Sequence, residues 1–178
     1  MIRMKMIRMK TIRMKLSFAI AIESDAEAVA ELRNAASEHL AQLYPNGTKS
    51  SNVTDKGVLY DMRTSRVVVA RNGSRIVATL RLAPKKPWAI DTEYFTSVKK
   101  PLYLTTMAVH PEVQRKGVGR QLLEEAKAMA KVWPSDAIRL DAYDTQGGAG
   151  DFYAKCGFRE VGRATYRKAP LVYFELLL

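Results

Sequence analysis

The sequence predicts a mixed α/β domain built on one mostly antiparallel sheet, and three observations carry that reading. Arg66-Val-Val-Val-Ala-Arg71 and Ser74 to Leu82 are apolar runs joined by Asn72-Gly73. Asn-Gly accepts the positive φ angles of a type I′ turn, so the two runs form an antiparallel hairpin. Leu102 to Val109 reads as a buried strand, and Val118, Leu122, Leu123, Ala126, Met129 and Ala130 then recur at helical spacing in an amphipathic helix that stops before Pro134. Ala137 to Tyr143 follows as another strand, parallel to the Leu102 strand because a helix crosses over between them. About seven strands and four helices result, and 178 residues suit a single domain.

In chain order, Met1-Ile-Arg-Met-Lys5, Met6-Ile-Arg-Met-Lys10 and Thr11-Ile-Arg-Met-Lys15 are near-copies that hold six basic groups and no acid. A five-residue period follows neither a helix face nor a strand face. Residues 1–15 therefore read as a frayed or extended tail, a low-complexity extension upstream of an alternative start at Met14, and residues 16–178 as the folded domain. Nucleic-acid or membrane binding is the alternative reading of the tail. The alternation from Ile12 to Ile22 supplies a first strand with one apolar face. Ser24-Asp-Ala-Glu27 fits a capping box, Val29, Leu32, Ala36, Leu40 and Leu43 form the buried stripe of the helix after it, and Pro45-Asn-Gly47 ends that helix. Thr54 or Asp55 caps a second helix reaching Met62. A fourth helix is expected from Gln146 to Lys155, weakened by Gly147, Gly148 and Gly150. Phe158 to Gly162 and Leu171 to Leu176 then close the sheet.

Apolar residues make up 47% of the chain, which excludes a disordered polymer. A single cysteine rules out an internal disulfide framework and suits the reducing cytoplasm. No apolar run is long enough to cross a bilayer, so no membrane span is expected. No metal site is expected either. The formal net charge of +11 asks for an anionic partner.

Between the Leu102 strand and its helix lies His110-Pro-Glu-Val-Gln-Arg-Lys-Gly-Val-Gly-Arg120. A strand, a basic turn with two glycines and a helix aim the free N–H groups of the first helical turn at one spot, and glycine lets an anion approach the backbone. Arg115, Lys116 and Arg120 add positive charge around it, which fits a pyrophosphate; a tight turn with solvated charges is the simpler reading. The third glycine of a dinucleotide fingerprint is missing after Gly117-Val-Gly119, and so is the Gly-Lys-Ser/Thr of a Walker loop.

Downstream stands Gln146-Gly-Gly-Ala-Gly-Asp-Phe-Tyr-Ala-Lys-Cys-Gly-Phe158. Together with Met-Ala-Val-His-Pro and the Gln114 to Gly119 turn, it resembles the GNAT superfamily of acyl-CoA-dependent N-acyltransferases. Ala149, Tyr153, Gly157 and Phe158 fall at the offsets of that family's second motif, and Gln146 stands where asparagine is usual. The resemblance implies a GNAT-like fold in which the parallel central pair splays apart and the pantetheine arm of acetyl-CoA enters the gap. Met107, Ala108 and Val109 would then lie along the arm, with Gln146 touching it, while Gln114, Arg115, Lys116, Gly117, Val118, Gly119 and Arg120 would hold the pyrophosphate. The Met107 N–H would stabilise the oxyanion, and Tyr153 would protonate the departing thiolate.

The acceptor side has no comparable motif. Trp88, Asp91 and Glu93, in the insertion between Ala83 and Lys100, supply either a pocket wall with charges for a cationic amine or a packed loop. Tyr103 occupies the central-strand position where some relatives carry a glutamate base, and Asp91, Glu93, Asp141 or a water chain remain as other routes for the amine's proton. His110 sits nearer the phosphates than the thioester, and Cys156 reads as core packing. The expected activity is acetyl transfer from acetyl-CoA to a primary amine of a small molecule. Aminoacyl-tRNA or protein amines are the alternative acceptors, and a non-catalytic CoA-sensing or nucleic-acid-binding protein is the alternative class. A homodimer is among the assemblies this architecture allows.

Overall fold

The computed structural model of the chain describes residues 14–47 and 51–178. Eleven principal elements follow in the order β1 (Leu16–Ile20), α1 (Ala26–Leu43), α2 (Asp55–Thr64), β2 (Arg66–Asn72), β3 (Arg75–Ala83), β4 (Pro101–Val109), α3 (Val118–Val132), β5 (Ala137–Tyr143), α4 (Gly150–Lys155), β6 (Arg159–Tyr166) and β7 (Ala169–Leu177). The seven strands form one sheet in the order β1-β2-β3-β4-β5-β7-β6. Among the described residues only β4 and β5 pair in parallel. The class, the hairpin at Asn72-Gly73 and the crossover through α3 agree with the sequence.

Alternation along the strands sends side chains to two faces. Val68, Ala70, Leu80, Leu82, Leu102, Leu104, Ile138 and Leu140 meet α3 and α4 in the main core. Val67, Val69 and Ile76 turn the other way and pack under α1 and α2. On that second face, farther along the sheet, Ile90 and Phe95 of the insertion cover Tyr103, Leu171 and Tyr173. α1 reaches over β4 as well as β3 on this face.

Several boundaries differ from the sequence reading. Ile12 and the repeats before it lie outside the described residues; β1 starts at Leu16, and Ile20 and Ile22 are 48% and 64% exposed rather than buried. The first helix is entered through a 3₁₀ turn at Glu23–Asp25, where the Ile22 N–H donates to Asp25 Oδ2 at 3.0 Å. Asp25 is in turn held by Arg71 at 2.7 Å, so this carboxylate, not Ser24, organises the helix start. Leu40 and Leu43, expected in the buried stripe, are 43% and 53% exposed. The fourth helix begins at Gly150 rather than Gln146, because Gly147 is left-handed and the Gly148 N–H closes a turn onto Thr145 O. The last two strands are longer than expected and absorb most of the basic Arg163 to Lys168 segment, with Arg167 and Lys168 as the turn at positive φ.

Candidate active site

The glycine turn is built to present backbone. After Val109 a 3₁₀ turn over Pro111–Val113 redirects the chain, and Gly117 enters α3 at φ 81°, where a side-chain Cβ would meet nothing within 4 Å. No acidic residue occupies the first turn of α3, and the Gln121 N–H bonds Gly117 O, which leaves the N–H groups of Val118, Gly119 and Arg120 without helical acceptors. Gly119 has a different task. A Cβ there would stand 3.3 Å from Val109 Cγ2, 3.4 Å from Met107 Cε and 3.5 Å from Phe152 Cζ, so hydrogen alone lets α3 close on β4 and α4.

Most polar side chains of this turn serve the protein's own backbone. Gln114 Nε2 donates to Val109 O at 3.0 Å, Lys116 Nζ to Glu112 O at 2.8 Å, and Arg120 Nη2 to Lys155 O at 2.7 Å. Arg115 is exposed at φ 58°. What the turn offers an anion is therefore its N–H groups and the left-handed Gly117 more than its basic side chains.

Below the turn β4 and β5 part. Their ladder joins Pro101 to Ala137, Leu102 to Ile138 and Tyr103 to Arg139, and goes no further. A bulge in β4 accompanies the parting: Thr79 and Arg81 of β3 face Ala108 and Thr105, so three steps on β4 oppose two on β3. Thr106, at φ 50°, is the extra residue. Because of it, Leu102 and Leu104 below and Met107 and Val109 above all turn toward the α3 side, which simple alternation would forbid.

Tyr153 reaches the gap from α4. It is 7% exposed, its hydroxyl donates to Met107 Sδ at 3.7 Å, and its ring packs edge-on against Phe152 and Phe158. Burial pushes its phenol well above the ordinary tyrosine range, and the charges of Asp141 and Cys156 push in the same direction. Asp141 stands on β5 two residues beyond the last pairing with β4. Burial raises its carboxyl above the usual carboxylate range, and its charge is felt by Tyr173, its partner across β7, as well as by Tyr153.

The expected acceptor wall is differently made. Trp88 is 86% exposed and lies outside the gap. Asp91 Oδ1 accepts the Glu93 N–H at 3.1 Å and caps a 3₁₀ turn, and Glu93 is exposed. Tyr103 is 3% exposed beneath the insertion, with its hydroxyl accepting from Arg139 Nη1 at 3.4 Å. Gln146 lines a cavity of about 200 Å³ with Leu43, Tyr44, Pro45, Asn46, Gly47 and Thr145. His110 is engaged by Arg75 at the outer end of β4, and Cys156 is buried in the main core. What the sequence reading did not anticipate is the buried pair of Arg139 and Glu175. Arg139 Nε donates to Glu175 Oε1 at 3.2 Å, and Thr96 Oγ1 donates to Glu175 Oε2 at 2.6 Å, tying the insertion to β5 and β7. Its signal was present: a charge at an inward position of each of two apolar strands demands a partner.

This geometry can be set beside known proteins. Residues 63–160 match the family model described as an acetyltransferase (GNAT) domain. No curated protein matches the sequence. Among solved structures, yncA from Salmonella typhimurium, a putative acetyltransferase with its cofactor acetyl-CoA, is similar over 92% of this chain and 94% of its own, with a TM-score of 0.66 and 16% identity. The ribosomal-protein-S18-alanine N-acetyltransferase from Escherichia coli gives 0.68 at 15% identity over 92% and 94%. The paia N-acetyltransferase from Thermoplasma acidophilum in complex with coenzyme A gives 0.67 at 17% over 90% and 98%. At these identities the likeness is one of fold, and the family model covers more than half of the sequence. The chain therefore belongs to the GNAT acetyltransferase family, and is an acyltransferase with acetyl-CoA as its cosubstrate.

Proposed function

We propose that the chain acetylates a primary amine by direct attack within a ternary complex, and that the gap between β4 and β5 is where this happens. One observation carries the reading: the strands part beside the N-terminus of α3, with the Tyr153 hydroxyl on Met107 Sδ and Asp141 on β5 beyond the last pairing with β4. The residues present fit the cosubstrate, since the acid-free first turn of α3 and the left-handed Gly117 suit a diphosphate. Bound acetyl-CoA supplies an acyl group already activated as a thioester. The Met107 N–H serves as donor to the acyl oxygen as negative charge builds on it. Asp141 accepts the amine's proton; its raised pKa makes it a stronger base than an exposed carboxylate. Tyr153, kept protonated by burial and by Asp141, delivers a proton to the thiolate. Neither Trp88 nor Tyr103 has a role in this scheme, and Asp91 and Glu93 shape the insertion rather than the chemistry.

Two measurements test it. Gly117→Asn keeps a residue that tolerates positive φ, whereas Gly117→Asp adds a carboxylate at the same place. Calorimetry should find acetyl-CoA bound about tenfold more weakly by the aspartate variant than by the asparagine variant. Equal affinities would remove the diphosphate from the turn.

Asp141→Asn should lower the transfer rate on the order of 10²-fold. With its folded pKa raised above the unfolded value, Asp141 contributes stability that is present below the ordinary aspartate pKa and lost as pH rises through the folded value. The asparagine variant should therefore melt higher than the parent at neutral pH while losing activity, and the acid limb of the parent's rate profile should lie above the ordinary carboxylate range. A variant that is both less stable and fully active would retire Asp141 as base. A macromolecular acceptor is the second reading, favoured by the net charge of +11. Salt-dependent retention of tRNA would support it.

A further inference from the structure

Arg33 is a charge that the fold hides without completing its hydrogen bonds. Its side chain is 6% exposed in the middle of α1, and Nη1 donates to Asp61 Oδ2 at 2.8 Å. Nε and Nη2 are buried with no partner among the described residues. Asp61 is shared with Arg81 at 3.4 Å, so two guanidinium groups face one carboxylate. Arg81 is satisfied elsewhere, donating from Nε to Ser65 Oγ at 2.7 Å and from Nη2 to Thr64 Oγ1 at 3.3 Å. The uncompensated donors are therefore those of Arg33.

Among the described residues one other buried side-chain atom lacks a partner, Thr105 Oγ1. Thr105 lies directly opposite Arg81 across β3 and β4, so the two side chains leave the sheet on one face, the face that α1 covers. All the orphaned polar atoms thus gather on the second face of the sheet, beside the bulge and two residues before Met107. Nε and Nη2 form the lateral fork of the guanidinium, two parallel donors matched to the two oxygens of a carboxylate. Arg33 is the one polar residue among the buried positions of α1, and farther along the same helix Leu40 and Leu43 are exposed.

Resting on the transferase reading, we infer that the acceptor is an amino carboxylate whose carboxylate is received by the Arg33 fork and the Thr105 hydroxyl. Its ammonium end then points to Asp141 across the gap, which places opposite charges at the two ends of a zwitterion. The bulge at Thr106 bends the strand between Thr105 and Met107, so the two stand closer than the ~7 Å of two extended residues, a span within the reach of a three- or four-carbon chain.

The test compares β-alanine, 4-aminobutyrate and 5-aminopentanoate with ethylamine, propylamine and butylamine, each acid against the amine it would give on decarboxylation. Thiol release gives kcat/KM, and calorimetry on the same full chain gives binding without turnover. The parent protein should prefer the acid of at least one pair by tenfold or more. In Arg33→Lys, which keeps a cation facing Asp61, and in Thr105→Val, which keeps the shape, that ratio should fall toward one. Equal treatment of acid and amine by the parent, or variants that slow both members alike, would overturn the inference and leave Arg33 a structural arginine. Binding of an acid but not its amine, lost in Arg33→Lys and unaccompanied by thiol release, would uphold the carboxylate site and overturn the transferase reading. No binding of any acid would overturn the site alone if acetyl-CoA still binds.

Discussion

Replacing Tyr153 by phenylalanine should slow acetyl transfer on the order of 10²-fold or more while leaving acetyl-CoA affinity within about twofold. The ring contacts survive the change, since Phe152, Phe158 and Phe174 pack against the ring at centroid distances of 5.3, 5.8 and 6.1 Å. What is lost is the hydroxyl at the gap, whose one described partner is the weak acceptor Met107 Sδ. A purely structural tyrosine would reveal itself through a lowered melting temperature and an unchanged rate. Steady-state kinetics with calorimetry separates the two outcomes.

Glu175→Ala should cost about 3–5 kcal/mol, because it strands a buried guanidinium rather than removing a pair. The side chains of Arg139 and Glu175 are 5% and 0% exposed. Arg139 would keep Tyr103 and the Thr96 carbonyl as partners but no counter-charge, and the insertion would lose its anchor at Thr96. Thermal unfolding should fall by about 10 °C, as expected for a chain of this length. A shift of one or two degrees would mean that water replaces the carboxylate and that the pair is not sealed. Arg139 is also the last residue of β5 to pair with β4, so this network fixes the point at which the strands diverge.

The parts legible in the sequence were those written as local periodicity or turn chemistry. Asn72-Gly73 declared its hairpin, Val118 to Ala130 declared α3, and the Gly117-Val-Gly119 turn declared an exposed backbone. The Thr106 bulge left no trace, because a β-branched residue at positive φ runs against its own preference and is held there by the surrounding ladder. The same holds for Asp141: its character depends on burial beyond the end of a strand pairing, which no spacing along the chain encodes. Gln114 and Arg120 read as ligands for an anion because their charges and amides cluster near the turn, yet tertiary contacts bring the Val109 and Lys155 carbonyls closer to hand. The buried cluster of Arg33, Asp61, Arg81 and Thr105 was least legible, since its members come from four different elements.

The charge of Asp141 felt at Tyr153 bears on the order of events in the proposed cycle. While Asp141 is ionised, its charge adds to burial in holding the proton on Tyr153. Once the amine's proton neutralises Asp141, burial still opposes loss of the phenol's proton but the carboxylate's charge no longer does, so the phenol is more acidic at the moment the thiolate needs it. An ammonium acceptor gives up two protons on becoming an amide: one is relayed through Asp141 and Tyr153 to the thiolate, and the other passes to solvent, which restores both groups. In that cycle the two residues would work as an interlock, with each proton movement favoured by the one before.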